Sequence, residues 1–127
     1  MQLIDTHSHL YSDKFDSDRS DVVRNAIKNG VSTILLPNIS SKYTESMLDL
    51  CSRFPVNCLP MMGVHPCDVN EENYKYELEH VEKELKTKKY IKTWIVVYFI
   101  ILILLKMFGR LDEVLNYREG FSHGGTT

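Results

Sequence analysis

Thr33-Ile34-Leu35-Leu36-Pro37-Asn38 is the stretch on which the fold turns. It stays apolar at successive positions, as a strand buried on both faces does, and Pro37-Asn38 closes it. On its N-terminal side, Ser17 and Asp18 offer N-caps for a helix running to about residue 29. Val22, Val23, Ala26 and Ile27 fall on one face of that helix, and Gly30 is a good stop. On its C-terminal side, Ser40 or Ser41 can cap a second helix lined by Met47, Leu48, Cys51 and Phe54. Pro55 ends that helix.

The pattern repeats outward. Leu3-Ile4-Asp5 reads as a short strand before a histidine-rich loop, and residues 56–62 as a third strand before Gly63-Val64-His65-Pro66. A third helix is expected within residues 71–88, where Tyr74, Leu78, Val81 and Leu85 recur at helical spacing. Buried strands alternating with amphipathic helices imply an α/β fold with a parallel sheet and right-handed crossovers. There is no repeat of solenoid type.

The 127 residues are 43% hydrophobic and 25% charged, which excludes wholesale disorder and fibrous classes. The length suits one core but is about half of the ~250 residues of a complete (β/α)8 barrel. A formal net charge of -2 gives no chain-wide case for nucleic acid or an anionic membrane as partner. The spacing of Cys51, Cys58 and Cys67 matches neither a zinc motif nor a disulfide scaffold. The first residues carry no basic region followed by a long apolar stretch, so no secretory leader is expected. Reduced thiols in a cytoplasm follow.

Residues 94–105 form an unbroken apolar run rich in β-branched and aromatic side chains, and residues 85–111 contain no Asp or Glu. As a strand the run would reach roughly 40 Å. As a helix it would span about 18 Å, short of the ~30 Å hydrocarbon core. A membrane anchor with Lys86, Lys88, Lys89 and Lys92 on the cytoplasmic side is therefore the weaker reading. The composition of the run also fits an aggregation-prone segment.

The chemistry lies in Asp5-Thr6-His7-Ser8-His9. Beyond a strand end, residues 5, 7 and 9 are expected on one side, so two imidazoles can face one metal ion. Asp5 could orient a histidine or lie deeper as a core polar group. His65, after the third strand, would join His7 and His9 at one rim as a phosphate or water contact. A closed zinc site from His7, His9, His65 and Cys67 has a permissible ligand set and is the lesser alternative. His80 is expected to be solvated on a charged helix face, and His123 to be inert in a tail.

Asp-Thr-His-Ser-His-Leu at residues 5–10, Leu-Pro-Asn at 36–38 and Gly-Val-His-Pro at 63–66 resemble the TatD-type metal-dependent deoxyribonucleases. That family belongs with the amidohydrolase-like TIM barrels, and the resemblance covers about residues 1–90. It implies the N-terminal half of a TIM-like barrel and a divalent metal ion (Mg, Mn or Zn). It also implies hydrolysis of DNA phosphodiesters. His7 and His9 match the first two metal ligands of the family, and His65 a histidine at the mouth of the site. The family then places Gly-Glu-x-Gly at the end of strand four, a few residues after Ile91. Here residues 92–100 read KTWIVVYFI, without a Glu, and no catalytic residue can be assigned. The later family ligands have no counterpart. Residues 1–90 are thus expected to be a partial hydrolase barrel, and residues 91–127 an aberrant segment from a truncated or frame-disrupted gene. The chain alone is expected to be inactive. The rival reading is a non-catalytic remnant with weak metal binding.

Overall fold

The computed structural model describes residues 1–87 and 89–91. Six elements alternate along the chain: β1 (Leu3–Asp5), α1 (Arg19–Lys28), β2 (Val31–Pro37), α2 (Thr44–Arg53), β3 (Cys58–Met61) and α3 (Tyr74–Leu85). Short 3-10 turns at Asp13–Phe15, Ser41–Tyr43 and Pro66–Asp68 precede the three helices. The strands are parallel, in the order β1-β2-β3. Asp5 pairs with Ile34, and Pro37 with Met61. All three strands therefore end on the same side, with the histidine-bearing loops just beyond.

The register persists past the strand ends. Ser8 N–H donates to the Leu35 carbonyl, Asn38 N–H to Met61 and His65 N–H to Ile39. At the far end, Ile91 N–H donates to the Pro60 carbonyl, extending the hydrogen bonding of β3 to the last described residue.

Ile34 and Leu36, two apart on β2, are buried with Val23 of α1 and Met47, Leu50 and Cys51 of α2. These alternate β2 residues belong to the core because strand side chains repeat with period 2. The remaining strand faces are less covered. Leu3 and Ile4 are 41% and 62% exposed.

The elements differ from expectation in three places, each for a local reason. β3 starts at Cys58 because Phe54 to Asn57 turn back, with Asn57 N–H donating to the Phe54 carbonyl and Val56 left exposed. Neither Ser40 nor Ser41 caps α2, which starts at Thr44 after the Ser41–Tyr43 turn. The backbone N–H and hydroxyl of Ser41 instead donate to the two oxygens of Glu77, at 2.8 and 2.7 Å.

The third difference is the docking face of α3. Leu85 is exposed, and Glu77 and Val81 are the buried residues. Glu77 holds Ser41, His80 Nε2 lies 2.8 Å from the Thr44 hydroxyl, and Glu84 accepts from the Tyr90 hydroxyl at 2.5 Å. His80 is thus half-buried and hydrogen-bonded, not solvated as expected. Among the described residues every buried side-chain nitrogen and oxygen has a partner.

Among the described residues no helix is long and apolar enough to cross a membrane. The apolar run 94–105 and His123 lie outside them.

Candidate metal site

The loop after β1 is held from three directions. The Asp5 carboxylate accepts from the His7 backbone N–H at 3.0 Å, so its link to His7 runs through the main chain and not the ring. The Arg19 guanidinium, largely buried, donates to the carbonyls of Leu10, Tyr11 and Ser12 at 2.8 to 2.9 Å. Tyr11 is fully buried, and its hydroxyl donates to the Pro37 carbonyl at the end of β2.

On this base the two imidazoles meet edge to face, with Nε2 atoms 3.2 Å apart. Tetrahedral zinc with N ligands at 2.0–2.1 Å separates them by roughly 3.3 Å, so the pair fits one ion. Two neutral imidazoles suit a borderline ion such as Zn better than Mg, which prefers oxygen ligands. His9 Nδ1 lies 2.8 Å from the Tyr11 hydroxyl and 3.1 Å from the Pro37 carbonyl. Burial, then the neighbouring His7, holds the His9 pKa below its ordinary value. That favours the neutral form a metal ligand requires. Burial likewise raises the Tyr11 phenol, which stays protonated.

His65 sits beyond β3, close enough that its charge lowers the His9 pKa. No hydrogen bond or ring contact ties it to the His7–His9 pair. Its Nδ1 accepts from Cys67 N–H at 3.2 Å and is 4.0 Å from the Asp68 carboxylate. Asp68 acts in the opposite sense on His9, raising its pKa. Cys67 is exposed in the Pro66–Asp68 turn. Among the described residues no group of three or more His, Cys, Asp or Glu side chains can hold one ion. The four-ligand site of His7, His9, His65 and Cys67 is therefore not formed, because the turn directs His65 Nδ1 to its own backbone.

Tyr11, Arg19 and Asp68 were not picked out from the sequence. Tyr11 had one usable signal: it continues the period-2 series of residues 5, 7 and 9.

A family model described as TatD related DNase matches residues 4–93. The 3'-5' ssDNA/RNA exonuclease TatD of Pectobacterium carotovorum is 32% identical over 71 residues, covering 56% of this chain and 27% of that protein. The human deoxyribonuclease TATDN3 is 36% identical over 64 residues, covering 50% and 23%. This chain thus spans about a quarter of the length of these relatives. Among solved structures, YJJV, a TatD homolog from Escherichia coli K12, superposes with a TM-score of 0.59 at 22% identity. That superposition covers 68% of this chain and 33% of the other, and it bears on the fold alone.

Proposed function

The chain belongs to the TatD related DNase family, and on that premise we propose that it carries the N-terminal part of a metal-dependent hydrolase of DNA phosphodiesters. The observation that carries this reading is the 3.2 Å approach of the His7 and His9 Nε2 atoms beyond β1. His7 and His9 would hold a divalent ion of borderline character. When bound, the ion supplies positive charge to polarise a phosphoryl oxygen and to acidify water. Asp5 fixes the His7 backbone. His65 Nδ1 is occupied as an acceptor, so the ring carries its N–H on Nε2, a donor suited to a phosphate oxygen or a water. The nuclease names of the relatives support a nucleic-acid substrate. Three free thiols suit a reducing cytoplasm.

By itself this polypeptide would bind the ion weakly and not turn over. Catalytic zinc sites use three protein ligands, the described residues offer two, and KTWIVVYFI supplies no bridging Glu. The test is metal-dependent release of nucleotides from single-stranded DNA by the full chain, with His7→Ala/His9→Ala as control. No release, together with metal binding abolished in the double variant, is the expected result. Turnover that vanishes in the double variant would overturn the inactivity. Absence of metal binding by the wild type would overturn the site.

A further inference from the structure

Beyond the ligands themselves, we infer that Tyr11 is a positioning residue that sets the tautomer of His9, a role that rests on the metal-site reading above. The hydroxyl of Tyr11 has one proton, and it is donated to the Pro37 carbonyl. The phenol oxygen, 2.8 Å from His9 Nδ1, can therefore only accept. The second neighbour of Nδ1, the Pro37 carbonyl at 3.1 Å, is also an acceptor. Two acceptors facing one ring nitrogen require that nitrogen to carry the proton. The lone pair of neutral His9 is thus on Nε2, the atom turned toward His7 Nε2.

The phenol is the nearer of the two acceptors and is rigidly placed. Tyr11 has no solvent exposure, and its own carbonyl is held by Arg19. It therefore also fixes the ring plane of His9, as outer hydrogen-bond partners of ligating histidines do. Residue 11 follows residue 9 at strand spacing while Pro37 comes from the next strand, so the device ties the site to the β1–β2 register.

The test uses the full chain, metal-free, at alkaline pH, with 15N-labelled histidine. Long-range 1H–15N spectra should give wild-type His9 an Nδ1 with the shift of a protonated nitrogen and an Nε2 with that of a bare one. Tyr11→Phe keeps the buried ring and removes only the hydroxyl. It should move both His9 shifts toward the tautomer average, while the His80 signals, bonded to Thr44, stay in place and report an intact fold. A Co2+ titration should show a dissociation constant raised by roughly tenfold or more. Wild-type His9 protonated on Nε2 would overturn the proposal. So would unchanged His9 shifts in Tyr11→Phe, which would assign the role to the Pro37 carbonyl alone. The metal-free spectra decide the role of Tyr11 whatever the titration says about the metal site.

Discussion

His7 and His9 turn their Nε2 atoms toward each other across 3.2 Å, although only Ser8 separates them in the chain. Two rings this close repel when both are protonated, whereas two neutral rings can both donate their Nε2 lone pairs to one divalent ion. His7→Ala or His9→Ala should each raise the dissociation constant for Zn2+ by at least about tenfold. His7 is exposed, so its replacement should leave the urea midpoint within error. Calorimetric titration and urea unfolding check both statements.

The same site predicts acid sensitivity. Folded His9 takes up its proton at lower pH than the unfolded residue, whose pKa is near 6.5. Its contribution to stability is complete above that value and is lost as pH falls through the lower folded pKa. The urea midpoint of the metal-free chain should fall with acidification below pH 6.5. The fall should be smaller in His9→Ala; an equal or larger fall would place the acid sensitivity elsewhere.

The strands and the three histidines of the rim were legible because hydrophobic periodicity and a strand-end motif are local signals. The polar docking of α3 was not. Glu77 and His80 gain meaning only from Ser41 and Thr44, each 36 residues away, and an apolar stripe search assigns such residues to solvent. The role of Tyr11 is hidden in the sequence for the same reason, since its hydroxyl partner Pro37 is 26 residues distant. The start of β3 was misplaced because Val56 has strand propensity but sits in the turn after Pro55.

Glu77 gives a direct stability test. It is buried and accepts from both the backbone N–H and the hydroxyl of Ser41. Glu77→Ala removes both bonds and leaves the Ser41 amide without a protein partner, at a cost of about 2–3 kcal/mol. Ser41→Ala keeps the amide bond and should cost about 1 kcal/mol. Urea unfolding should rank the variants in that order, and an equal effect would mean the hydroxyl carries the contact.

Arg19 predicts a different asymmetry. Its guanidinium bonds three carbonyls of residues 10–12 and the Asp16 carboxylate, a fork that one ammonium cannot reproduce. Arg19→Lys should therefore lose about 1–2 kcal/mol although the charge is kept, and Arg19→Ala about 3 kcal/mol. Because the clamp supports the loop carrying His9, both variants should also weaken metal binding. Unchanged metal affinity alongside lost stability would separate the clamp from the site.

The cysteines allow a last test by chemical labelling. Cys51 and Cys58 are buried, and burial pushes their thiols up to about 12 and about 11. Cys67 is exposed in the turn after His65. Only the thiolate reacts, so at neutral pH the folded chain should consume one equivalent of a thiol reagent quickly and two more at the rate of unfolding. Cys67→Ser should abolish the fast phase. The two buried thiols also predict alkaline weakening, because the unfolded chain ionises near 9 and the folded one only higher. Their contribution is complete below pH 9 and is lost as pH rises through the folded values. The slow labelling phase should therefore accelerate above pH 9 by more than thiolate formation in a model peptide accounts for. Two fast equivalents at neutral pH would mean that the α2–β3 layer opens readily and that the core is looser than its packing implies.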